Sequence, residues 1–158
     1  MKRSLFAAAA AGVLTFGAPP AFAHEDAYLA TQKAPNGGQL RMAGPYHYEL
    51  VANREAGVAK ASELVVYVTD HAGTPVPTQG AQGVAHVLAG KERSAVKLVP
   101  DGENRMKGAG SYGWDADAKV VVSITMPGAP AAQARYTTDP ISETERHSEA
   151  RATEAHGH

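Results

Sequence analysis

Seven histidines and no cysteine set the chemistry open to this 158-residue chain. His24 follows Ala21-Phe22-Ala23, His47, His71 and His86 lie in the interior, and His147, His156 and His158 gather at the end. Imidazole is the commonest protein metal ligand. Without a thiolate, any metal site must draw on His, Met, carboxylate, amine or backbone donors. Thiol catalysis, thiolate zinc sites and Cys-ligated blue copper are excluded.

Three clusters carry that chemistry. The first is His24-Glu25-Asp26. Cleavage after Ala23 would make His24 the N-terminal residue, so one residue would offer both an α-amine and an imidazole. With two carboxylates beside them, these donors suit Cu(II), Ni(II) or Zn(II). The alternative is a histidine on a frayed end with no ligand. The second is His47 with Glu49, two apart on a strand and therefore on one face. They read as two ligands, as a carboxylate orienting an imidazole, or as plain polar surface. Met42, five residues earlier, adds a thioether unless it fills the core. The third is His156-Gly157-His158, a loose auxiliary site.

The remaining candidates read as structural. Asp70 opens a turn and bonds its own loop backbone, which leaves His71 exposed to solvent. His86 shares strand parity with Val84 and Leu88 and reads as a core histidine. Tyr112 and Trp114, in the run GAGSYGWDADA, read as lids on one end of the fold or as a small-ligand platform. There is no G-x-S-x-G, no H-E-x-x-H and no phosphate-cradling glycine loop. The expectation is therefore a protein that is not an enzyme and holds no organic cofactor. Copper oxygenases, which brace an N-terminal His with a second His, are the enzymatic alternative.

The elements that position these residues begin with a secretory signal at 1–23: Lys2-Arg3, an apolar run from Leu5 to Phe16 and an A-x-A cleavage signature. That run is shorter than the ~20 residues a membrane span needs. The expected location is the periplasm. Removal of the signal leaves 13 basic and 16 acidic residues, a net charge of −3. That balance argues against a basic patch for nucleic acid and against a polybasic membrane footprint.

Residues 24–38 end in Pro35-Asn36-Gly37-Gly38 and read as a flexible lead-in. Residues 39–138 carry the fold. Residues 139–158 lack apolar periodicity, with Ile141 their one strongly apolar residue, and read as a His-containing disordered tail. Within the fold, strands are expected at 46–52, 63–69, 83–88, 94–99, 105–107, 118–126 and 134–138. Val120, Val122, Ile124 and Met126 alternate inward, as do Leu64, Val66 and Val68, and as do Tyr46, Tyr48 and Leu50. About seven short strands without a helical run predict an all-β, immunoglobulin-like antiparallel sandwich, with a small barrel as the alternative. A monomer is expected.

Three stretches carry a resemblance: APNGGQLRMAGPYHYELV at 34–51, ELVVYVTDHAGTPVPTQGAQG at 63–83 and VKLVPDGENRMKG at 96–108. With the HED start they resemble small exported β proteins of Gram-negative bacteria that accompany heavy-metal and copper efflux systems. The turn at Asp70, Gly73, Pro75 and Val76 is similar to that of the YtkA-like β-sandwich domain. The first stretch also resembles the N-terminal extension of periplasmic adaptors of metal-exporting pumps, in which a His often precedes the Gly-Gly. This chain has Asn36 there. The resemblance implies a periplasmic metal-binding accessory protein, a buffer or carrier for copper or for nickel, zinc or cobalt, with a pump adaptor as partner. The competing expectation is a cell-envelope interaction module that binds no metal.

Overall fold

The computed structural model describes residues 23–52 and 60–138. Residues 1–22 of the expected signal and the tail with His147, His156 and His158 lie outside the described residues.

The fold is all-β and antiparallel. The helix α1 (Ala23–Thr31) precedes the strands β1 (Gln39–Ala43), β2 (Tyr46–Ala52), β3 (Lys60–Asp70) and β4 (Gln82–Ala89). Then follow β5 (Glu92–Pro100), β6 (Arg105–Tyr112), β7 (Lys119–Thr125) and β8 (Ala131–Thr137). The eight strands form one sheet in the order β1-β2-β3-β6-β5-β4-β7-β8. Strands β3 to β6 make a Greek key, because β4, β5 and β6 follow as neighbours and β6 returns beside β3. The sheet is nearly closed. At the open seam the Gln39 side-chain amide donates to the Thr137 carbonyl at 2.9 Å.

One apolar core fills the interior. Tyr48, Leu64, Val66, Val68, Leu98, Met106, Val122 and Ile124 are fully buried or nearly so. The inward alternation read from β2, β3 and β7 is the one observed. His86 departs from expectation. It is exposed, because the small Ala85 and Val87 take the inward positions of β4 and leave Val84, His86 and Leu88 outward. Tyr112 and Trp114 are buried in an edge-to-face pair with centroids 6.4 Å apart, and Tyr112 Oη donates to the Glu63 carbonyl. They pack the end of the core.

Besides β1, two elements escape a reading by periodicity. The helix α1 occupies most of the segment read as a lead-in, and it lies against β1, with Leu29 buried. Strand β6 continues through its glycines to Tyr112. A Cβ at Gly108 would collide with the Lys97 carbonyl and stand 2.8 Å from a Val96 methyl. The glycines therefore let β5 lie against β6 where a side chain would hold it off.

Candidate functional site

The β1–β2 hairpin turns through Gly44-Pro45, with Gly44 at φ +59°, the value a two-residue II′ loop requires at its first position. This turn fixes the register. Met42 lies directly opposite His47, and His47 lies opposite Thr69 of β3. Met42 and His47 are therefore facing neighbours on the outer side of the sheet, and both are half-buried.

His71 joins them from the turn after β3. Its ring stacks on that of His47 with centroids 4.9 Å apart and planes within 16°. Its Nε2 stands 3.1 Å from the Gly44 carbonyl oxygen. A carbonyl only accepts, so Nε2 is the donor, and in the neutral ring Nδ1 is the nitrogen that offers a lone pair. An imidazole that donates one N–H to a backbone carbonyl is preset as a ligand through its other nitrogen.

The loop that presents His71 is built by Asp70. Asp70 Oδ1 accepts from the Ala72 and Thr74 amides at 2.9 and 2.8 Å, and Gly73 takes φ +82°. The backbone bond from Thr74 above all, with that from Ala72, holds the Asp70 carboxyl below the usual range against the opposing effect of desolvation. A bridge between Thr69 and Pro75 closes the loop. The structural role expected for Asp70 is the one observed.

Asp26 reaches the same corner from α1, where its Oδ1 accepts from the Met42 amide at 2.8 Å. The backbones of His24 and Glu25 lie in the first turn of that helix. Glu49 is engaged elsewhere. It is buried, and its carboxylate accepts from the Asn36 amide at 2.8 Å, the Asn36 side chain at 2.9 Å and the Gly38 amide at 2.9 Å. Glu49 thus clamps the 36–38 turn and supplies no ligand beside His47.

Sequence reasoning puts His47 and Met42 forward and reads His71 as exposed, which it is; what it does not show is the stack on His47. Sequence spacing alone does not show that a turn 24 residues beyond His47 lies against it. Among the described residues no three His, Asp or Glu side chains form a group able to hold a metal ion. The corner brings two imidazoles together, with the thioether of Met42 at the cross-strand position opposite His47.

A second feature lies on the opposite half of the sheet. Arg93 and Lys97 of β5, Lys119 of β7 and Arg135 of β8 all point outward and are exposed. Charge balance alone argued against a basic patch, yet the fold assembles one from three strands. A groove of about 540 Å³ runs across them, lined among others by His86, Leu88, Arg93, Lys119, Val121 and Arg135.

No protein-family model matches this chain, and no curated protein matches it in sequence.

Proposed function

We propose that this chain is an exported metal-binding protein that carries or buffers a copper ion at the corner formed by His47, His71 and Met42. The observation that carries the reading is the His47–His71 stack opposite Met42, with His71 oriented by the Gly44 carbonyl. Two imidazoles on one metal hold their donor nitrogens at most ~4 Å apart, given metal–nitrogen bonds of ~2.0–2.1 Å. Rings centred 4.9 Å apart are close enough to share one ion once they turn out of the stack so that their in-plane lone pairs converge. A thioether beside imidazoles favours copper over the harder divalent ions, and Cu(I) in particular. The Asp26 bond to the Met42 amide ties α1, and with it His24 and Glu25, to the same corner. An accessory role beside a metal efflux system accords with the resemblance of the 34–51 stretch.

The test is calorimetric titration of the processed chain with Cu(I), Cu(II) and Zn(II), beside His47→Ala, His71→Ala and Met42→Leu. A fourth variant carries one extra Ala before His24. The expected result is affinity tighter than ~10 μM, weakened at least ~10-fold by either histidine variant and unchanged by the added alanine. Binding that His47→Ala and His71→Ala leave intact refutes the corner as the site. Loss only in the extended variant moves the site to the amine terminus.

A further inference from the structure

We propose that the outer face of β5–β4–β7–β8 is the docking surface for the chain's own acidic segment, residues 139–158.

The face has a single sign of charge. By register and burial, its outward positions are Arg93, Ala95, Lys97 and Val99 on β5, and Gln82, Val84, His86 and Leu88 on β4. They continue with Lys119, Val121, Ser123 and Thr125 on β7, and Ala131, Gln133, Arg135 and Thr137 on β8. None of these residues is acidic, although the chain as a whole is not basic. The other half of the sheet is treated differently. There Arg105 pairs with Asp101 at 2.8 Å, and Lys107 pairs with Glu63 at 2.7 Å. Arg93, Lys97, Lys119 and Arg135 form no ion pair with any described residue. Four like charges on one face repel one another and attract an anionic partner.

The groove between them has an apolar floor, Leu88 and Val121, and its edges are cationic. Val99, on the same face, is one of the exposed large apolar side chains among the described residues. Such a surface fits an acidic stretch of chain that carries an occasional apolar residue.

The segment after β8 has that composition. Residues 139–158 hold Asp139, Glu143, Glu145, Glu149 and Glu154 against Arg146 and Arg151, a net charge of −3. Ile141 is their one strongly apolar residue. The point of departure is fixed beside the groove. Thr137 lines it, and Thr138 is held by the Ala118 and Ala116 carbonyls. The distances are compatible. At ~3.3 Å per residue, Ile141 reaches ~13 Å from Thr137. The floor at Leu88, on β4, lies two strand spacings from β8, ~10 Å. Glu143 and Glu145 reach ~20 Å or more, enough to meet Arg93 on β5 at ~15 Å. Covalent attachment gives the segment an effective concentration of order mM, so weak contacts suffice to hold it.

The test uses the full chain. Its lack of cysteine allows a single nitroxide label at Ser148→Cys, and paramagnetic broadening of backbone amides then maps where the segment lies. The expected result is broadening concentrated on His86, Leu88, Lys119, Val121 and Arg135. It should fall several-fold in ~1 M salt, where the screening length is ~3 Å, and likewise in the exposed pair Arg93→Glu with Arg135→Glu. Ile141→Asp should weaken it as well. Broadening confined to the surroundings of Thr137 and indifferent to salt marks a merely tethered segment and overturns the proposal. Broadening transferred to isotope-labelled chains that carry no nitroxide marks a second copy as the occupant and overturns it too.

Discussion

Replacing Glu49 separates architecture from ligation. The residue is 3% exposed, and its two carboxylate oxygens receive three donors from the 36–38 turn. Hydrogen bonds to a charged group contribute ~1.5–3 kcal/mol each, and a buried donor left without a partner costs ~1–3 kcal/mol. The contributions are not additive, because an opened turn lets water reach some of the donors. Glu49→Ala is therefore expected to cost about 3–5 kcal/mol. Glu49→Gln, which keeps one acceptor oxygen, is expected to cost about 1–3 kcal/mol. Urea unfolding followed by the fluorescence of the single Trp114 measures both, since that residue is buried against the core. With a slope of ~1–3 kcal/mol per M, the alanine variant should lose ~2 M in midpoint. The copper affinity of folded Glu49→Gln should equal that of the parent. An alanine variant within ~0.5 kcal/mol of the parent refutes the clamp, since that is the range of ordinary surface changes. A glutamine variant of parental stability with weakened metal binding would make Glu49 a ligand after all.

Other expectations concern pH and close packing. Burial pushes the Tyr136 hydroxyl well above its usual range and does the same to Tyr48, where the neighbouring Tyr46 adds to it. A raised folded-state pKa contributes stability that is present below ~10 and lost as the pH rises further. Spectroscopic titration should therefore show these two phenols ionising only with alkaline unfolding, and Tyr136→Phe should shallow that limb. The depressed Asp70 carboxyl works in the opposite sense. Its stabilisation is present above ~3.9 and is lost as the pH falls through the folded value, so Asp70→Asn should flatten the acid limb of stability against pH. Gly108→Ala forces a methyl against the Lys97 carbonyl and a Val96 methyl, and should cost at least ~1–3 kcal/mol in urea unfolding.

What the sequence reveals is the inward alternation, and it does so where both faces differ in character. Tyr46–Ala52 shows the bounds of β2 directly, because Gly44-Pro45 ends the preceding hairpin turn and the inward residues Tyr48 and Leu50 are large. Parity fails at β4, where Ala85 is inward and Val84 and Leu88 are outward, so hydrophobicity alone selects the wrong face for His86. β1 is hidden because its inward residues are Gln39, Arg41 and Ala43, two of them polar yet buried at the seam. α1 carries little amphipathic signal, since Leu29 is the apolar residue seen to anchor it. Of the corner, His47 and Met42 were visible as chemistry. The partnership with His71 is tertiary, made by the β2–β3 register and by a loop folded on Asp70.

The Greek key also orders events in time. β3 finds its second neighbour only in β6, about 40 to 50 residues further along the chain. A ribbon of β1 to β3 emerging first has no opposing half to bury Leu64, Val66 and Val68 against. Non-local pairing of this kind delays folding until most of the chain is made. For a chain exported as proposed above, that delay would keep the polypeptide threadable until its last strands have been synthesised. On that proposal the closure of β3 against β6 falls to the far side of the membrane, whereas the corner of His47 and His71 rests on β2, β3 and the Asp70 loop alone.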